Sequence, residues 1–354
     1  MLNTRLKHLL GKLKLMSKHP YFGYLVFGAI LIVCQMLTLG GVISGSLMDS
    51  IISTLIYASA ALGFALLLGY GGMASLGTAA FIGLGTYIIG FFSGKLELPF
   101  ILTLLIAFGG AIILGAIVGF ISLRIEGMYL AIITLGLSEI FIEIYKSFKG
   151  FTNGVDGLGF RNFQIFNIPM SDTAVQTMVI IAFVILMIVT INVINSPTGR
   201  AMLAMKDSTA AAQSMGISLL KYRLFAFVIS TVFAVLAGIL YMAEVKFSSP
   251  PTWGLTMSLS ILAAVIVGGE QSIVGIILGT FIIFNLNTAV LSDIPFFSNN
   301  PDAQYILNGL LIIVIVMFYP GGLIRLIQSL RAWIKKKFNQ LKHKWKVYRY
   351  GADE

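Results

Sequence analysis

Charge is scarce in this chain. Asp, Glu, Lys and Arg make up 11% of its 354 residues, against 58% hydrophobic residues and a mean hydropathy of +0.94. No soluble domain of this length has such a balance, which places the chain in the membrane class. Cysteine is almost absent: Cys34 stands alone inside the first apolar run, which excludes a disulfide framework. The three histidines, His8, His19 and His343, all lie in the basic ends, so none is placed for an intramembrane metal site or proton relay. Catalytic signatures are missing as well. The chain has no G-x-x-x-x-G-K-[ST] phosphate cradle and no G-x-S-x-G, H-E-x-x-H or C-x-x-C. These gaps argue against an enzyme and against ATP use by this chain. Transport driven from elsewhere stays open.

The chain is rich in apolar runs separated by basic clusters. A membrane helix needs about 20 apolar residues. Ten runs qualify, at roughly 21–39, 47–69, 75–93, 98–122, 127–147, 174–194, 224–245, 256–268, 273–291 and 304–320, the eighth being short for a full crossing. Five basic residues precede the first run (Arg5, Lys7, Lys12, Lys14, Lys18). Four share one interior loop (Arg200, Lys206, Lys221, Arg223). Nine close the chain, from Arg325 to Arg349, so the three groups hold 18 of the 24 Lys and Arg. Basic residues are retained on the cytoplasmic side during insertion. The expectation is an all-α integral membrane protein of about ten transmembrane helices with both termini cytoplasmic. Arg124 then joins the inner side, and only Lys95, Lys146, Lys149, Arg161 and Lys246 fall outside. This topology also accounts for the net charge of +10 without a nucleic-acid partner. The first run is too long for a signal peptide and reads as a retained helix. The divisions are a basic tail at 1–20, a transmembrane domain at 21–322 and a basic tail at 323–354.

Two loops are not lipid-like. The outer one, 148–172, contains the turn-rich string Thr152-Asn153-Gly154-Val155-Asp156-Gly157. The inner one, within 195–223, opens on Ser196-Pro197-Thr198-Gly199-Arg200 and continues in Ala, Met and Leu, which favour helix. Asp207 or Ser208 can cap a second short helix, and Gly216 can end it in the left-handed conformation. Two short helices at the inner membrane face follow from this. Gly71-Gly72 and Gly268-Gly269 each join two apolar spans on the inner side, a trace of an internal repeat. Gly115 with Gly119, and Gly275 with Gly279, read as close helix packing.

Polar residues within the spans are the pointers to a path, because burying them in lipid is expensive. Ser75 and Thr78 open the third span; Thr134 and Ser138 lie in the fifth; Asn285 and Asn287 interrupt the ninth. Glu143 reads as an ion pair with Lys146. Glu139 lies deeper and is expected to face the bundle interior, where it lines a polar path or holds helices in register. The Ser and Thr residues have a competing structural role, bonding backbone carbonyls.

Gly69 to Phe81, GYGGMASLGTAAF, resembles the "GYGGQxSLGHAAF" signature of branched-chain amino-acid ABC importer permeases. Gly127 to Gly136 resembles their "GxYxAxxTL" segment, and Thr152 to Leu158 their "TGGxxGL" loop. Pro197 to Tyr222 resembles the loop that docks on the ATPase, Arg223 to Tyr241 the helix after it, and Tyr319 to Leu323 the "FPxGL" ending. The match covers about residues 50–325 in the family's order, and is closer to the M-type than to the H-type subunit. Met73 stands where Gln is frequent, Thr78 where His is usual, and Ala210-Ala211-Ala212 where many importers have Glu-Ala-Ala. The resemblance implies a multi-pass permease of the bacterial cytoplasmic membrane that binds no cofactor itself. Its implied partners are a second homologous permease subunit, two cytoplasmic ATPase subunits, an extracytoplasmic solute-binding protein and membrane lipid. ATPase coupling would fall to Gly199, Arg200, Asp207, Ala211, Ala212 and Gly216. Permeases for urea, sugars or nucleosides share the architecture, and an ion-coupled secondary transporter is the alternative of another class.

Overall fold

The computed structural model describes residues 21–121, 127–160, 164–165, 168–286, 306, 309–310, 313–314, 317, 321–329, 331 and 337. The basic tail at 1–20, most of the tail after 329, Arg124, Arg161, Asn287 and most of the tenth apolar run lie outside the described residues. The remainder is a helical bundle. The described parts of the first nine apolar runs each fall on a helix, and among the described residues five helices are long and apolar enough to cross a membrane.

The chain enters as α1 (Phe22–Leu39), then α2 (Gly45–Ala65), which continues as a π-helical turn, Leu66–Tyr70. After an extended stretch comes α3 (Thr78–Ile89), also prolonged by a π-helical segment, Gly90–Lys95. Next are α4 (Phe100–Ile121), α5 (Met128–Ser147) and α6 (Asp172–Asn195). Two short helices follow, α7 (Pro197–Asp207) and α8 (Thr209–Ser214), before α9 (Leu219–Val245), the longest. Then come α10 (Leu255–Gly268) and α11 (Ile273–Thr280), which runs on as a π-helical turn, Phe281–Asn285.

Helix α9 is the core. It packs against α2, α3 and α4, and its closest contacts are made where a side chain is missing. A Cβ on Gly238 would lie 2.0 Å from the carbonyl oxygen of Ile82, and one on Gly85 would lie 2.1 Å from that of Val235. Gly115 and Gly119 set α4 on α9 in the same way, 2.9 Å and 3.2 Å from the Cα atoms of Val228 and Leu224. Small residues let helices approach closely in lipid, where no hydrophobic force drives association. The outer faces are apolar instead: Leu25, Ile30, Val33 and Met36 of α1 and Leu105, Ile113 and Phe120 of α4 are all exposed. Hydroxyls inside the bundle bond backwards to carbonyls four residues earlier, as in Thr54 to Ser50, Thr190 to Leu186 and Thr280 to Ile276. Asn285 donates to Thr54 Oγ1 at 2.9 Å and ties the end of α11 to α2.

The two ends of the bundle differ. One carries α7 and α8. At the other, the 148–172 loop folds on Asn153, Gly154 and Gly157, all with positive φ, and Thr152 accepts the Gly154 N–H at 3.1 Å. Two residues of this loop, β1 (Leu158–Gly159), pair antiparallel with β4 (Phe247–Ser248) just beyond α9. The short pair β2 (Gln164–Ile165) and β3 (Ile168–Pro169) completes that end.

Candidate functional site: the paired short helices and the broken-helix centre

Local sequence explains the paired short helices. Ser196 caps α7 by accepting the Gly199 N–H at 3.2 Å, and Pro197 occupies its first turn, where a missing N–H costs nothing. Gly199 lets α6 turn sharply into α7: a Cβ there would sit 2.4 Å from the carbonyl oxygens of Val193 and Ile194. Arg200 donates to the Asn195 carbonyl at 2.9 Å and closes the end of α6. Asp207 is the last residue of α7, and Ser208 caps α8 through the Ala211 N–H at 3.3 Å. Gly216 ends the motif at φ +79°, with its N–H on Gln213 O at 2.9 Å and the next N–H on Ala212 O at 3.0 Å. Met202, Met205 and Ala212 point into the protein. Ala210, Ala211, Gln213, Met215 and Leu220 are exposed, Met215 at 81%. The pair therefore offers an outward patch of small and flexible apolar side chains on a base anchored by methionines.

Polar residues meet again where two helices start inside the bundle. α10 has 14 residues, about 21 Å of helix at about 1.5 Å per residue, too short to span about 30 Å of hydrocarbon. The chain ahead of it descends beside α3 through Pro250–Trp253, with Trp253 fully buried and its indole N–H on Ser248 Oγ at 2.8 Å. Ser258 then accepts the Ala79 N–H at 3.1 Å, in the first turn of α3. Thr134 of α5 accepts the Leu76 N–H at 2.9 Å and donates to Ala131 O at 3.0 Å. Ser75 accepts the Gly77 N–H at 3.3 Å. Ser75, Thr78, Thr134 and Ser138 are all buried, and the Ser138 hydroxyl has no partner among the described residues. Thr134 is brought to the α2–α3 break beside Ser75, and three hydroxyl contacts, from Ser75, Thr134 and Ser258, secure that break.

Glu139 is placed otherwise. The inward orientation expected for it is not observed among the described residues: it is exposed, on the side of α5 turned away from the other described helices. Buried Leu130, Thr134, Ser138, Ile142 and Tyr145 form the inner face of α5. The outer one carries Tyr129, Ile132, Gly136, Glu139, Ile140, Glu143 and Ile144. With Ser138 held inward, the 3.6-residue period turns the next residue outward. Glu139, Ile140, Glu143, Ile144 and Ser147 line a shallow depression of about 430 Å³. The Glu143–Lys146 ion pair forms at 2.7 Å, as its spacing suggests.

Sequence reasoning missed one cluster. Lys206 of α7 reaches Glu270 Oε1 at 2.5 Å and Gly69 O at 2.9 Å, and Gln271 Nε2 reaches the same Gly69 carbonyl at 3.2 Å. The two glycine turns, read separately as a trace of repetition, thus meet at the α7–α8 end. The available signal was the Glu-Gln pair right after Gly268-Gly269 in an otherwise uncharged stretch. A cavity of about 520 Å³ opens beside the cluster, lined in part by Gly269, Glu270, Gln271, Ser272, Arg325 and Gln328.

The geometry fits a transport subunit, and comparison with known proteins agrees. The chain is 29% identical over 307 residues to the high-affinity branched-chain amino acid transport system permease protein LivM of Escherichia coli, covering 80% of this chain and 71% of that protein. It is 28% identical to the LivM protein of Salmonella typhimurium, over 85% and 74% of the two chains. The ribose import permease protein RbsC of Haemophilus influenzae is 27% identical over 63% of this chain and 69% of its own length. No solved structure matches significantly. Residues 46–316 match the family described as branched-chain amino acid transport system, permease component, and the chain belongs to that family.

Proposed function

We propose that this chain is the permease subunit of an ATP-driven importer that carries leucine, isoleucine and valine across the cytoplasmic membrane. The observation that carries the reading is the α7–α8 pair. It is a capped, anchored helical hairpin that exposes Ala211 and Met215, on a chain of this permease family whose sequence lacks the phosphate-loop motif. Two cytoplasmic ATPase subunits dock there. The end carrying α7 and α8 is cytoplasmic, together with both termini, and the chain crosses about ten times. An extracytoplasmic binding protein delivers the solute to the opposite end, near the 148–172 loop.

The path runs along the outward face of α5, where a second, homologous permease subunit covers it. An ionised carboxylate facing lipid is costly, and Glu139 on that face calls for water or protein around it. Ser75, Thr78, Thr134 and Ser138 lie directly behind, at the α2–α3 break. Alternating access follows when ATPase closure moves α7 and α8, and a binding protein that prefers one state shifts the balance by its differential affinity.

The test is uptake of labelled leucine by proteoliposomes holding both permeases, both ATPases and the binding protein. ATP-dependent uptake, competed by isoleucine and valine but not by ribose, is the expected result. Competition by ribose alone would replace the solute class. Uptake driven by an ion gradient without ATPase subunits would make the chain a secondary transporter.

A further inference from the structure

The α7–α8 end contains one polar junction that stability alone does not call for. Helix α7 is already held by buried Met202 and Met205. Yet its last turn carries Lys206, half-buried, with its ammonium between the Glu270 carboxylate at 2.5 Å and the Gly69 carbonyl at 2.9 Å. Half-exposed ion pairs add little stability, but they fix a geometry.

What they fix here is a seam of bare backbone. Gly69 lies in the π-helical turn that ends α2, where the wider helix takes carbonyls out of the ordinary ladder. A Cβ on Gly69 would lie 2.3 Å from the Glu270 carbonyl oxygen, so the α2 terminus and the α10–α11 turn touch main chain to main chain. Gly72, at φ +67°, passes against the Lys206 side chain, where a Cβ would come 3.0 Å from Cγ. Gly322, at φ +72°, closes on Gly269 from the other side, where a Cβ would come 2.4 Å from its N. Tyr70 adds a hydrogen bond from its hydroxyl to Gln271 O at 3.3 Å. Lys206 therefore fastens α7 to the ends of two helices that other contacts have already brought together.

The α10–α11 turn leads onward. About 11 residues up α10 from Gly269, roughly 17 Å of helix, Ser258 holds the first turn of α3 through the Ala79 N–H. The stretch before α3 is held in turn by Thr134 of α5. We propose that Lys206 is a positioning residue that locks α7 to the α10–α11 turn, so that displacement of the α7–α8 pair moves α10 and the broken start of α3. This rests on the reading of α7 and α8 as the ATPase-docking pair. A series of contacts becomes a coupling route only when breaking one link changes the output.

The experiment uses the complete importer in proteoliposomes and reads uptake per ATP hydrolysed. Lys206→Met and Glu270→Gln are each expected to lower that ratio at least fivefold, while the ATPase subunits still co-purify. Lys206→Arg, which keeps the charge, is expected to retain most of it. The exchange Lys206→Glu with Glu270→Lys is expected to recover at least half. Unchanged coupling in the single variants would overturn the proposal, as would an exchange no better than either single. Loss of assembly in the single variants would make the role structural and overturn it equally. Ala211→Glu, on the exposed face of α8, is assayed in parallel. Release of the ATPase by that variant supports the docking reading, and its retention sinks that reading whatever Lys206 does.

Discussion

Glu139 offers a test in which magnitude separates two environments. It lies 11 residues into α5, about 17 Å along a helix that rises about 1.5 Å per residue, so with α5 crossing as proposed it would sit near the middle of a bilayer about 30 Å thick. On insertion scales a charged side chain at that depth costs about 2.5–3.5 kcal/mol, a factor of about 70 to 400. Were this face in contact with lipid in the importer, Glu139→Leu would relieve that cost. The variant would become markedly more stable and uptake would be unchanged. Facing a watered path beside the second permease, Glu139 has no such cost to shed. Glu139→Leu then leaves assembly within about 0.5 kcal/mol, the range of an ordinary surface substitution, and lowers uptake tenfold or more. Glu139→Gln, which keeps shape and hydrogen bonding, loses less. The assay pairs denaturation of the detergent-solubilised complex with leucine uptake. It adds thiol labelling of a Glu139→Cys protein in a Cys34→Ala background. Reaction with a membrane-impermeant sulfonated reagent is expected. Reaction only with a lipid-soluble maleimide, together with a stabilised and fully active Glu139→Leu variant, would refute the reasoning.

Other outcomes follow from the same geometry. Gly238→Ala pushes a methyl group to 2.0 Å from Ile82 O and should cost at least about 1–3 kcal/mol of overpacking. Gly109→Ala, with nothing within 4 Å, should be neutral or slightly stabilising, and equal melting of the two in detergent would contradict the α3–α9 contact. Gly216→Val places a branched side chain at φ +79°, a strain of about 1–3 kcal/mol on backbone alone. It should leave the protein in the membrane but lower ATP-coupled uptake, and normal uptake would remove Gly216 from the docking motif. With Cys34 replaced, an impermeant reagent added to intact cells should label Asp156→Cys and miss Met215→Cys; labelling of the latter would invert the topology.

The helices were legible in the sequence because an apolar run near 20 residues has a length that only a membrane demands. The paired short helices were legible for a different reason. Pro197, Ser208 and Gly216 perform backbone tasks that few other residues perform, so their spacing marks the starts and the end of the short helices. The orientation of α5 was not legible. In a soluble helix the buried face is greasier than the exposed one. In α5 both faces are apolar, Leu130 and Ile142 inward and Ile132 and Ile140 outward, and no contrast remains to say where Glu139 points. The cue that does separate them is the placement of small hydroxyl residues. Thr134 and Ser138 are four apart and mark the packed side, as Thr54, Thr190 and Thr231 mark packed sides of their own helices. The same limit explains Lys206. Counted as a basic residue it reports only which side of the membrane its loop lies on, and any lysine in that loop would serve. Its specific contact needs Gly69 and Glu270, far away in sequence, brought within reach by two turns whose meeting no local pattern encodes. Charges that set topology and charges that set contacts are the same residues in such a chain, and only the packed backbone tells them apart.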